Sequence, residues 1–189
     1  MALQSSKIAK SSSNRVEQPE IEADVYPARL VQLIDLGLQP QRAYQGKEKP
    51  PANEIMFTYE LVDIFMVDAD GKEDLKKPRW ISETLPFFGI QADMAKSTKR
   101  YLALDPTQEW GGDLTKMLDV PCNLTLVINA KGDKRYENIG NIAPMNSKKS
   151  AACPELVNPT RVFDFDEPNL EVFNSLPDWI KKKITEALR

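Results

Sequence analysis

Three short segments of the chain combine positively charged and aromatic side chains. One of them, KKPRWISE, places Trp80 beside three cations. This combination suits nucleic acid, because an aromatic ring can stack on a base while Lys and Arg neutralise the phosphates. The other two segments, RAYQGKEKPP at 42–51 and AKGDKRY at 130–136, are rich in turn formers, which predicts exposed loops. The candidate nucleic-acid-binding residues are Arg42, Tyr44, Lys47, Lys77, Arg79, Trp80, Lys131, Lys134, Arg135 and Tyr136.

The orientation of Trp80 follows from strand alternation. If the segment is extended, Ile81 and Leu85 share one face, while Trp80 lies on the other face beside Ser82 and Thr84. Ile81 and Leu85 are the natural pair for a core, which leaves the tryptophan on a face that can be open. The sequence leaves two interpretations: Trp80 is a stacking surface, or it packs under a helix or an end loop.

The residue types absent from the chain restrict its chemistry. It has no histidine, which removes the commonest general base and the usual zinc sites. Its two cysteines, Cys122 and Cys153, are too far apart in sequence for a paired metal motif, so we expect buried free thiols. We therefore expect a binding protein rather than an enzyme, with no metal and no cofactor. The net charge of -3 means that any nucleic-acid binding requires a local stripe of cations.

The hydrophobic pattern predicts a mainly β protein. Two long strands, a third strand, a helix and a closing hairpin follow one another along the chain. Five strands with one helix between the third and the fourth is the order of the OB-fold, a partly open Greek-key barrel whose 1–2 and 4–5 loops flank the binding face. The three basic and aromatic segments should then converge on one groove. The predicted strands cover residues 25–39, 54–68, 78–87, 121–129 and 136–145, and the helix covers residues 92–104.

The regions outside this barrel differ in composition. Residues 1–24 are serine-rich and then acidic, which predicts a disordered N-terminal arm before an OB-fold domain at 25–146. Residues 147–189 read as a linker, an acidic and aromatic segment, and an amphipathic C-terminal helix. This region either recruits a partner or packs on the barrel. Its candidate partner-binding residues are Phe163, Phe165, Asp166, Phe173 and Trp179.

The chain also bears on cellular location. No apolar run approaches the roughly 18 residues that a membrane helix needs. The first ten residues lack the apolar centre of a signal peptide. We therefore expect a cytoplasmic protein with no membrane contact.

Residues 25–145, from YPARLVQLIDLG through KPRWISE and PCNLTLVIN to YENIGNIAPM, resemble the single-stranded DNA-binding proteins of tailed phages that have an OB-fold. The segment LEVFNSLPDWIKKKI is similar to phage proteins too. This resemblance implies that the chain coats single-stranded DNA during replication or recombination in the host cytoplasm, without a cofactor and without chemistry.

One departure from that family concerns the C-terminus. Such proteins commonly end in an acidic tail that recruits replication partners, whereas this chain ends in KKKITEALR. The acidic and aromatic segment at 163–173 is the nearest substitute for binding replication or recombination proteins. The alternative function is a phage-encoded interaction or inhibitor protein that binds a host or replisome protein.

Overall fold

A computed structural model describes residues 15 to 188 and shows a mainly β protein. Long strands carry the first three quarters of the described chain, and short helices dominate its C-terminal part. The strands are β1 (Val25–Gln39), β2 (Ala52–Val67), β3 (Glu73–Pro86), β4 (Pro121–Lys131), β5 (Lys134–Pro144) and β6 (Arg161–Phe163). The helices are α1 (Lys96–Leu104), a short 3-10 helix (Leu114–Met117), α2 (Ser147–Ala152), α3 (Leu170–Ser175) and α4 (Asp178–Thr185).

The strand β1 lies at the centre of the sheet, whose order is β3-β2-β1-β4-β5. One edge of β1 pairs with β2 in antiparallel register. The other edge is shared, because Val25–Arg29 pair with β4 and Gln32–Ile34 pair in parallel with β6. β1 is therefore buried along most of its length.

Two irregularities bend β1. Its register against β2 shifts between Leu30 and Gln32 and again between Asp35 and Gly37, and such bulges curve a sheet. Gly37 has a φ of 70°, which favours glycine. A side chain there would also lie 2.9 Å from the ring of Phe165, so the glycine lets the C-terminal region approach β1 closely.

The two faces of the curved sheet carry separate cores. The main core fills the concave side, where α1 and the 3-10 helix close it. The second core lies on the outer side, where the C-terminal region packs on β1 and β2. Residues of the main core include Leu30, Phe57, Tyr59, Ile81, Leu85, Tyr101 and Leu124. Residues of the second core are Ile34, Leu36, Met56, Phe163, Leu176, Ile180 and Ile184.

The helix α1 is fixed to the sheet by polar contacts as well as by packing. The guanidinium of Arg100 donates to both carboxyl oxygens of Glu83 on β3, at 2.6 and 3.1 Å. At its end, the carboxylate of Asp105 accepts hydrogen bonds from the Tyr101 hydroxyl and from the backbone of Glu109 and Trp110. The loop that leads from α1 to β4 is therefore held against the main core.

The path of the sheet ends at β3 on one side and at β5 on the other, so the ladder does not close into a ring. The prediction of a five-stranded OB-fold barrel is therefore corrected in two respects: the sheet does not close into a barrel, and it has a sixth strand. β6 has three residues and pairs with a strand far away in sequence, which leaves no periodic signal. α1 lies between β3 and β4 as predicted, and α4 is the predicted C-terminal helix.

The segment before β1 occupies the gap between β3 and β5. Ile21 is buried in the main core, and its backbone N–H donates to Glu137 on β5. The side chain of Gln18 exchanges two hydrogen bonds with the backbone of Val67 at the end of β2. Residues 1–14 of the predicted disordered arm lie outside the described residues, whereas residues 18–21 are held by these specific contacts.

The described bounds differ most from the predicted ones at two elements, β3 and α1. β3 begins at Glu73 rather than at residue 78, because its first residues pair with the end of β2. α1 begins at Lys96 rather than at residue 92, because residues 92–95 form turns. No helix within residues 15 to 188 combines the length and the apolar composition needed to span a membrane.

Candidate nucleic-acid interface

Trp80 lies on the outer face of β3, as alternation predicts. Its neighbour Ile81 is in the main core, on the other face. The indole N–H of Trp80 donates to the carboxyl group of Glu60 on β2, at 2.9 Å. The guanidinium of Arg161 lies 5.9 Å from the centre of the indole ring, within the range of a cation–π contact. Trp80 is therefore a partly buried residue with contacts of its own.

Glu60 explains why this part of the outer face is covered. Its side chain is fully buried and accepts three hydrogen bonds. Two of these come from the segment that crosses over the sheet at residues 154–160, named here the crossing segment: the Val157 backbone donates at 2.6 Å and the Asn158 amide at 2.8 Å. The crossing segment and Arg161 thus cover part of Trp80, which favours the interpretation that this residue packs under a loop over the interpretation that it is an open stacking surface.

Sequence reasoning missed the role of Glu60. The alternation of β2 places Glu60 among mainly polar residues on the outer face, which indicates an exposed side chain. The sequence does not show that a distant segment buries this carboxyl group. A row of hydrogen bonds runs beside it, from Gln32 to Thr58 at 3.2 Å and between Thr58 and Ser82 at 2.9 Å. Ser82 and Thr84 remain exposed, so the outer face is open at its β3 edge.

Two candidate arginines hold the gap between β3 and β5. Arg79 lies 3.7 Å from the carboxylate of Glu137 and donates to the carbonyl of Pro19 at 2.9 Å. Arg135 pairs with the same glutamate at 3.0 Å and donates to the carbonyl of Ile21. These contacts fix the N-terminal segment and leave the two guanidinium groups less free for phosphates.

The other cations near these strands are more exposed. Lys77 forms a surface ion pair with Asp74 at 3.2 Å, a kind of pair that contributes little to stability. Lys131 and Lys134 flank the turn between β4 and β5 and are exposed, and Tyr136 beside them is 45% exposed. This 4–5 turn therefore has the predicted surface position.

The 1–2 loop, residues 40–51, forms a small ordered hairpin. Tyr44 and Lys47 exchange two backbone hydrogen bonds, at 2.9 and 3.0 Å. Between them Gln45 and Gly46 both have positive φ, which is the geometry of a type I′ turn. The Tyr44 side chain is 61% exposed, and the ammonium of Lys49 lies 4.8 Å from its ring centre.

An open pocket of about 550 Å³ lies between this hairpin, the start of β2 and α4. Its charged and aromatic lining consists of Arg42, Tyr44, Lys49, Glu54 and Lys183. Lys183 reaches it from α4 and pairs with Glu54 at 3.0 Å, while Gln41 donates to the other carboxyl oxygen of Glu54. Three cations thus surround one aromatic ring and one carboxylate.

The predicted convergence of three segments on one groove is wrong. The 1–2 loop follows the end of β1 at Gln39. β4 is antiparallel to β1 and runs past its start, since Val25 pairs with Thr125. The 4–5 turn consequently lies at the opposite end of the sheet from the 1–2 loop. Arg79 and Arg135 come together near the 4–5 turn, and only Arg42, Tyr44 and Lys47 share the loop at the other end.

The candidate partner-binding residues separate into two groups. Phe163 is buried in the second core and lies 5.9 Å from the ring of Phe173, while Phe165 packs against Gly37. These contacts favour packing on the sheet over partner binding. Asp166 and Trp179 are exposed.

Two titratable side chains of the main core, those of Cys122 and Tyr59, have pKa values that burial raises. Burial raises the pKa of the Cys122 thiol to about 12, so the thiol stays protonated at neutral pH. Burial also raises the pKa of Tyr59 well above its ordinary value. Both cysteines are buried free thiols, as predicted.

Comparison of the chain with protein-family models, curated proteins and solved structures finds no significant match.

Proposed function

We propose that the chain is a single-stranded DNA-binding protein built on an open version of the OB-fold. The strand order supports this, because β1 pairs with both β2 and β4, β5 pairs with β4, and α1 follows β3. The ion pair between Arg79 and Glu137 takes the place of a β3–β5 ladder. The role in phage replication or recombination, in the host cytoplasm, is part of the same proposal and rests on the sequence resemblance.

The observation that carries the proposal is the pocket at the 1–2 loop. It presents the exposed ring of Tyr44 beside Arg42, Lys49 and Lys183. A phenol ring can stack on any base, and cations neutralise phosphates whatever the sequence. The expected binding is therefore independent of sequence, and it involves neither a cofactor nor a chemical step.

A titration of fluorescently labelled oligothymidylate, followed by anisotropy, tests this proposal. We expect binding at low salt, with log K falling against log salt by about 0.7 per phosphate contacted. The double variant R42A/K49A should bind more weakly, with a slope smaller by about 1.4 if each cation contacts one phosphate. K148A/K149A on α2 removes two exposed lysines away from the pocket and is the matched control. Absence of binding by the unmodified chain at low salt would overturn the proposal.

A second candidate function is an interaction protein that binds a host or replisome protein. An apolar pocket of about 580 Å³, lined by Phe165, Leu170 and Phe173 among others, favours it. Leu170 is 70% exposed at this pocket, and acidic residues such as Asp164 and Asp166 lie nearby in the chain. A pull-down from host lysate separates the two functions, because a direct partner survives nuclease treatment and a DNA-bridged partner does not.

A further inference from the structure

Trp179 is an exposed aromatic residue of α4, and other side chains of this helix pack against the sheet. Ile180 and Ile184 bury α4 in the second core. Trp179 points elsewhere and is 54% exposed. Because residues four apart are neighbours on a helix surface, Lys183 lies on the same side of α4 as Trp179, about 6 Å along its axis.

Lys183 connects this side of α4 to the pocket at the 1–2 loop. Its ammonium pairs with Glu54 at 3.0 Å and lines the pocket together with Arg42 and Tyr44. The carboxylate of Glu54 is in turn held by Gln41. The ammonium is thus kept at the wall between the hairpin and the helix, rather than moving freely in solvent.

The same combination of groups occurs on both sides of this wall. On the loop side, the ammonium of Lys49 lies 4.8 Å from the ring centre of Tyr44. On the helix side, Trp179 has Lys182 and Lys183 three and four residues further along. Each side therefore offers one exposed ring with cations beside it, and Lys183 belongs to both.

We propose that α4 forms the second half of the nucleic-acid site: Trp179 stacks on a base, and Lys183 contacts the phosphate between this base and the one stacked on Tyr44. This inference rests on the proposed function, and it names the surface that single-stranded DNA follows from the 1–2 loop. It also exchanges the predicted roles of two tryptophans. Trp80 is hydrogen-bonded to Glu60 beneath Arg161, whereas the residue assigned to a partner, Trp179, is free to stack.

Tryptophan emission during an oligothymidylate titration tests the inference directly, since the chain has three tryptophans. We expect quenching in the unmodified chain, most of which is lost in W179F and retained in W80F. The affinity of W179A should fall about 5- to 140-fold, the range expected for the loss of one stacked base. K183A should reduce the salt slope by about 0.7. L75A removes an exposed apolar side chain at the opposite end of the sheet and is the control.

Two outcomes would overturn the inference, and they can be told apart. If the unmodified chain binds but W179A and K183A bind as tightly as L75A, the helix is not part of the site, and the proposed function stands. If the unmodified chain does not bind at low salt, the proposed function fails together with the inference. Circular dichroism of each variant checks that the fold is retained, which we expect because Trp179 lies outside both cores.

Discussion

A single buried carboxyl group organises the contact between the sheet and the crossing segment. Glu60 accepts hydrogen bonds from Trp80 on β3 and from Val157 and Asn158 in the crossing segment, two parts of the chain that are far apart in sequence. Glu60→Ala would leave three donors without their acceptor, and we expect the free energy of unfolding to fall by roughly 2–4 kcal/mol. Urea denaturation measures this change.

A second measurement shows whether the loss acts through the crossing segment. In Glu60→Ala, limited proteolysis should cut faster within residues 154–160, and Trp80 emission should shift to the red as the indole meets water. Glu48→Ala in the exposed 1–2 loop is the control and should change stability by no more than about 0.5 kcal/mol. An unchanged unfolding midpoint in Glu60→Ala would contradict the anchoring role.

Asp105 should make stability depend on pH in the acid range. Burial works to raise its pKa, but the donors from Trp110, Tyr101 and Glu109 outweigh burial and hold the pKa below its usual value. A carboxyl group with a lowered pKa stabilises the fold at pH values above its unfolded pKa, and the contribution is lost as pH falls through the folded pKa. Asp105→Asn should therefore be less stable than the unmodified chain at pH 7. The difference should shrink below about pH 4. Denaturation across this range measures it, and an equal difference at pH 7 and about pH 3 would contradict the argument.

At the scale of the elements, α4 has a buried residue, Ile180, directly after an exposed one, Trp179. Ile180 is buried against Ile34 and Leu36 in the second core, whereas Trp179 is more than half exposed. Ile180→Ala should lower the free energy of unfolding by about 2–4 kcal/mol, because it removes buried surface and leaves a cavity. Trp179→Ala in the same helix is the matched control and should cost much less. Thermal or urea denaturation compares the two, and a small loss in Ile180→Ala, no larger than that in Trp179→Ala, would contradict the stabilising role of the second core.

The elements that sequence could predict are those with their own periodic signal. β1 has the predicted bounds, and β2, β4 and β5 lie within a few residues of their predictions. β6 and α3 are too short for such a signal, and β6 exists because the edge of β1 beyond Arg29 is left free by β4. The stripe of Ile180 and Ile184 was visible as an apolar face, but the sequence did not show what it packs on.

At the scale of the whole molecule, the site was harder to predict than the fold. The residue types were informative, since Tyr44 and Arg42 do line a cationic pocket. Their relation to the 4–5 turn depends on how the strands pair, and the register places that turn at the other end of the sheet. The contribution of Lys183 depends on where α4 docks, which is a long-range contact.

At the scale of the whole molecule, the segment before β1 fills the gap between β3 and β5. The sequence predicts a disordered arm here, whereas these contacts predict that the segment stabilises the fold. Ile21 is only 4% exposed, and Glu137 and Arg135 bind its backbone. Ile21→Ala should therefore lower the free energy of unfolding by about 2–4 kcal/mol, as for a core residue. Val25→Ala, at an exposed position four residues later, should have little effect. Urea denaturation of both variants decides the matter. If residues 15–24 formed a disordered arm, both substitutions would be neutral, and β3 and β5 would meet without a bridging segment.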